Sequence, residues 1–117
     1  MKGDYSKAVI YGLRCKNTNK LYIGSTCQGI ETRMGKHETD YRGYIGLLNK
    51  PRNYRSSFEI LVEDNYEIYN ICDYPCNNKQ ELEAEETRRI IEARNDPDTT
   101  LVNKRLPIIL SPPPVSL

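Results

Sequence analysis

The chain has no tryptophan, a single phenylalanine, and no apolar run approaching the ~20 residues that a membrane-spanning helix requires. Its first residues, MKGDYSKAVIYG, hold no apolar leader, so the sequence reads as an intracellular protein, cytoplasmic or nuclear (in the host cell if the source is viral), with no membrane partner. Net charge is nearly absent too. Lysine and arginine number 17 against 16 acidic residues, a formal +1, so any case for a polyanionic partner rests on local distribution. Without a secretory signal, disulfides are disfavoured and free thiols are expected at Cys15, Cys27, Cys72 and Cys76. A structural zinc on Cys72 and Cys76 of CDYPC, joined by Cys15 and Cys27, is the alternative, although the spacings do not match the usual paired knuckles.

What is present is 117 residues, enough for one domain with a modest core, and nine tyrosines, side chains that combine a stacking face with a polar tip. The charges are sorted into blocks. Arg33, Lys36, Arg42, Lys50, Arg52 and Arg55 are opposed between positions 33 and 55 only by Glu38 and Asp40, whereas Glu81, Glu83, Glu85 and Glu86 crowd a later segment.

Residues 8–14 (AVIYGLR) and 20–24 (KLYIG) are β-prone and flank an asparagine-rich turn, which predicts a hairpin. An even loop pairs Tyr11 near Gly24 and Leu13 near Tyr22 and puts both tyrosines on one sheet face, while an odd loop separates them; the sequence leaves that register open. Residues 29–42 follow a helical period in which Ile30, Arg33, Met34, His37 and Tyr41 share a stripe, so an arginine and a histidine point toward the protein body. Residues 43–57 read as short helix or loop, and 57–63 (SFEILVE) alternate like a half-buried third strand. Residues 79–94 are strong helix formers, glutamates early and arginines late, with Leu82, Glu86, Ile90 and Ala93 on one side. The expected fold class is therefore α/β in the α+β sense, a small three-stranded antiparallel sheet flanked by helices, with one folded domain over 1–105 and an extended, proline-rich tail over 106–117.

Cleaving a phosphodiester needs an activated water, positive charge near the phosphoryl oxygens and help for the leaving oxygen. Glu86, set in a packed helix face, suits a magnesium-like ion, which takes one or two carboxylates and keeps several waters. Arg33 offers a fork of donors matched to phosphate, His37 is expected to titrate near neutrality, and a phenolate from Tyr11 or Tyr22 would accept a proton if a nearby cation or hydrogen bond stabilised it.

The order VIY, ten residues, YIG, then Arg33, His37, a helical Glu86 and Asn103 in LVNKR resembles the GIY-YIG nuclease family, over roughly residues 8–105. Similar proteins include phage and viral homing-type endonucleases, some restriction enzymes and the incision domain of nucleotide excision repair. The resemblance implies a metal-dependent DNA endonuclease with one Mg2+ or Mn2+ on the glutamate, leaving a 5′-phosphate and a 3′-hydroxyl. It also implies site positions at Tyr11, Tyr22, Arg33, His37, Glu86 and Asn103. Val9 stands where the family's first motif has glycine, and Glu85 sits beside Glu86 as a competing ligand; Ile90, four residues after Glu86, favours Glu86.

Singly, each of these residues has an ordinary structural explanation, and only the ordered set points to a nuclease. A catalytically weak nucleic-acid-binding module of the same fold is the alternative, and a polyproline ligand in SPPPVSL is a weaker third. DNA is the expected partner, held by Lys36, Arg42, Lys50, Arg52 and Arg55 as a backbone-tracking surface, with a homodimer or a specificity-providing protein supplying sequence choice.

Overall fold

The computed structural model describes residues 4–47, 53–104 and 106–107. A mixed four-stranded sheet in the order β3-β1-β2-β4 lies between helices: β1 (Val9–Cys15), β2 (Lys20–Thr26), α1 (Ile30–Tyr44), α2 (Phe58–Leu61), β3 (Tyr66–Asp73), α3 (Lys79–Arg94) and β4 (Thr100–Leu101). No helix among the described residues is long and apolar enough to cross a membrane.

The β1–β2 hairpin turns through residues 16–19, an even loop, and the antiparallel register pairs Tyr11 with Gly24 and Leu13 with Tyr22. Because directly opposed residues share a face, Tyr11, Leu13 and Tyr22 all project to the same side. On that side Leu13 and Cys15 pack with Phe58, Ile60 and Leu61 of α2, and Met34 and Tyr41 of α1 close over them. The opposite face carries Ile10 and Ile23 against Leu82 and Ile90 of α3. The sheet is thus buried on both sides, which blurs the alternation of its strands.

Two expectations about the sheet are corrected. It has four strands rather than three, and β4 runs parallel to β2, so it is not wholly antiparallel. Residues 57–63 contribute a short helix instead of a strand: Phe58, Ile60 and Leu61 are buried while Val62 is 60% exposed, a pattern that strand alternation cannot produce but a helical turn can. The third strand is Tyr66–Asp73, paired antiparallel with β1 and rich in aromatic and β-branched residues.

Helix α1 starts at Gly29, whose φ of 87° lies in the left-handed region that glycine enters without strain. Helix α3 spans the expected residues and is capped by Asn78, whose side chain accepts from the Glu81 amide at 2.9 Å, while Glu81 accepts from the Asn77 amide at 2.9 Å. The four thiols are free. The proline run of the expected tail lies outside the described residues.

The edge of β2 positions the site. β4 pairs only with Lys20 and Leu21, after which the side-chain amide of Asn103 takes over, accepting from the Ile23 amide and donating to the Ile23 carbonyl, each at 2.9 Å. Asn103 thereby extends the ladder by one residue and fixes the path of the chain beside Tyr22.

Candidate active site

Tyr11 is fully buried, and its ring lies across Gly24, where a Cβ would come within 2.5 Å of the phenol Cζ. The glycine of the second sequence motif is therefore the space occupied by the tyrosine of the first. Gly12 has the same relation on the other face to Tyr69, within 2.5 Å of its Cζ.

Around Tyr11 a chain of hydrogen bonds joins β1 to α1 and to the residue just before α2. Arg33 Nε donates to Tyr11 Oη at 3.2 Å, Tyr11 Oη meets His37 Nε2 at 2.7 Å, and His37 Nδ1 meets Ser57 Oγ at 3.2 Å. Since the arginine can only donate, the network assigns the phenol proton to His37 Nε2 and the imidazole proton to Nδ1, facing Ser57. Burial pushes the Tyr11 phenol well above its ordinary range, and Tyr22 adds to this, with Arg33 opposing. Burial, reinforced by the Arg33 charge, lowers His37 to about 4. His37 is thus neutral at physiological pH, which corrects the expectation that it titrates near neutrality: it is only 2% exposed, and a guanidinium lies close by.

Tyr22, Arg33, His37, Glu86 and Asn103 line one cleft of about 710 Å³ at the β2 edge. Arginine and histidine reach it from α1, and glutamate from α3 across the sheet edge. Tyr22 packs edge-on against His37, ring centroids 5.5 Å apart, and its phenol is raised by burial and by Glu86, with Arg33 and Arg55 opposing. Tyr11 does not line the cleft but sits directly behind Arg33 and His37.

The carboxylate of Glu86 accepts a short hydrogen bond from Ser25 Oγ, and burial raises it to about 7 against the opposing effect of that bond. Its neighbour Glu85 is turned away and occupied by Arg88 and Arg89, each at 3.0 Å. Among the described residues no group of three or more His, Cys, Asp and Glu side chains is placed to hold a metal ion. The donor set of the cleft therefore fits only an ion content with one carboxylate, completed by water and phosphate oxygens.

The expected DNA-binding residues divide. Arg55 lines the cleft, its Nε 3.5 Å from Asp40; Lys36 and Arg42 are exposed on α1 away from the lining; Lys50 and Arg52 lie outside the described residues. Sequence reasoning missed Ser25, Ser57 and Asp40. The first two gave no signal, being single hydroxyls in loop and strand contexts. Asp40 did give one, since it falls seven residues after Arg33 on the same helical stripe.

A family model described as the GIY-YIG catalytic domain matches residues 7–87, a span that includes Glu86 and stops short of Asn103. No curated protein and no solved structure matches the chain.

Proposed function

The chain belongs to the GIY-YIG catalytic-domain family, a nuclease family, and from that premise we propose that it is a metal-dependent DNA endonuclease leaving 5′-phosphate and 3′-hydroxyl ends. The observation that carries this reading is the convergence of Arg33, His37, Tyr22 and Glu86, drawn from three elements, on one cleft with the Tyr11 phenol immediately behind it.

Glu86 would hold one Mg2+ or Mn2+, which supplies Lewis-acid polarisation of the phosphate and charge neutralisation at the leaving oxygen. Burial favours the neutral form of Glu86 against the opposing Ser25 hydrogen bond and Arg33 charge, and the ionised carboxylate would be favoured with an ion held there. Arg33 binds a phosphoryl oxygen. In doing so it turns from Tyr11 toward the cleft it lines and opens the phenol to the attacking water. As Tyr11 takes the water's proton, it passes its own along the existing bond to His37 Nε2, and Ser57 holds the Nδ1 proton of the resulting imidazolium. The negative charge of the phosphate in the cleft offsets the field of Arg33 and raises the basicity of His37 at that step. Tyr22 walls the imidazole and faces the substrate, and Asn103 holds the β2 edge in place.

DNA is the proposed partner. The cations of α1 and Arg55 contact phosphates without reading bases, so the isolated chain has weak sequence preference, and a homodimer or second protein supplies any stronger one. The test is incubation of purified protein with plasmid and oligonucleotide duplexes in Mg2+, in Mn2+ and in EDTA, followed by mapping of the ends. Cleavage abolished by EDTA with 5′-phosphate ends is expected. Binding without cleavage under every divalent ion would favour the binding-module reading.

A further inference from the structure

Three rings lead from the core to the rim of the cleft. Phe58 is buried in α2 and packs against Tyr44 with centroids 5.1 Å apart and against Tyr54 edge-on at 5.9 Å; Tyr44 and Tyr54 meet at 5.7 Å. The two tyrosines are 45% and 46% exposed, so each is anchored from below while nearly half of its surface faces solvent. Tyr54 is fixed from its tip as well, donating to Glu59 at 3.1 Å, and Lys104 Nζ lies over its ring at 5.3 Å from the centroid. Such a ring is pre-organised, and little conformational freedom is lost when something lies on it.

Its neighbours say what that is. Tyr54, Arg55 and Lys104 line the same cleft as Arg33 and Glu86, giving three cations against one carboxylate among the charged lining groups. Cations that follow a phosphate backbone, interleaved with exposed aromatic faces, suit nucleotides whose bases are free to stack. A base within continuous duplex shows a protein its edges; only an unpaired one can lay its face on a tyrosine.

We propose that Tyr54, backed by Tyr44, is a stacking platform for an unpaired base beside the scissile phosphate, so that the favoured substrate is DNA with a single-stranded segment at the cut. The inference rests on the nuclease reading of this cleft and deepens it. On binding, the base takes the place of Lys104 over the ring, and the lysine ammonium, on a side chain 64% exposed, moves to the adjacent phosphate.

The experiment uses the full chain in EDTA, where nothing is cut, with two duplexes of one sequence: blunt, or bearing a short overhang that carries 2-aminopurine at the first unpaired position. Wild type is expected to quench the 2-aminopurine and to bind the overhang duplex about five- to hundredfold more tightly than the blunt one. Tyr54→Leu, which keeps apolar contact with Phe58, should abolish the quenching and bring overhang-duplex affinity down to the same variant's blunt-duplex affinity, whereas Tyr54→Trp should retain both quenching and preference. Equal wild-type affinity for the two duplexes would overturn the proposal. So would an equal loss on both in Tyr54→Leu, which would mark the ring as support for the fold. Failure of the nuclease reading is distinguishable: quenching and preference that persist in a chain that cuts no DNA in Mg2+ leave the platform standing, and cutting without quenching or preference removes the platform alone.

Discussion

The hydroxyl of Tyr11 lies 2.7 Å from Nε2 of His37, a hydrogen bond between a strand and a helix 26 residues apart, with both side chains enclosed by the protein. With His37 lowered to about 4, the imidazole at neutral pH is an acceptor, and the phenol is its donor. A buried tyrosine is thereby given a route for its proton, and in the unliganded site Arg33 donates to the same oxygen.

Removing that oxygen tests the relay. Tyr11→Phe is expected to lower kcat by at least about a hundredfold with little change in DNA affinity, and to cost about 1–3 kcal/mol of stability because His37 Nε2 and Arg33 Nε are left without a partner. Single-turnover cleavage and chemical denaturation measure the two effects. An inactive Tyr22→Phe beside a fully active Tyr11→Phe would show that the tyrosine lining the cleft, not the one behind it, takes the proton.

Glu86→Gln should abolish metal-supported cleavage and yet stabilise the metal-free fold at alkaline pH. Burial raises this carboxyl from 4.5 to about 7, so its favourable contribution is complete below the unfolded value and is lost as pH rises through the folded one. Compared with wild type, the variant is expected to gain about 2–3 kcal/mol at pH 8 and almost nothing at pH 4, read from denaturation in EDTA. His37 has the opposite sign: its contribution is present above 6.5 and is lost as pH falls through about 4. Glu85→Gln, which disturbs only Arg88 and Arg89, should leave cleavage intact.

Gly24→Ala and Gly35→Ala should differ in sign. At Gly24 a Cβ meets the pinned ring of Tyr11, and a loss of about 2 kcal/mol together with impaired cleavage is expected, since buried overpacking typically costs about 1–3 kcal/mol. At Gly35, inside α1 with nothing near the added Cβ, a gain of about 1 kcal/mol is expected from helix propensity. Melting temperatures of the two variants decide the matter.

Replacing Lys36, Arg42 and Arg55 together by alanine should weaken binding about equally on unrelated DNA sequences. The slope of log K against log salt should become shallower by about 1 for each phosphate that the variant no longer neutralises. A variant that weakens one sequence far more than another would show that these side chains read bases.

By itself the sequence determined the hairpin and the two long helices, because strand alternation, helical period and capping are written in near neighbours along the chain. Helix α3 over residues 79–94 and the stripe of Arg33 and His37 on α1 are of this kind. Residues 57–63 were ambiguous because apolar side chains at 58, 60 and 62 satisfy strand alternation, and only the burial of Leu61 against Phe58 and the exposure of Val62 select the helical turn. Tyr66–Asp73 was obscured as a strand because its two faces are both partly covered, which erases alternation. Tertiary structure alone decided the hairpin register, set by a four-residue loop and by the Tyr11 ring over Gly24. It also decided that Tyr11 sits behind the cleft while Tyr22 faces it, and that burial lowers His37 and raises Glu86. Exposure and local field are sums over groups brought together from α1, α3, β1 and β2, and no stretch of chain contains those sums until the sheet and helices have closed around them.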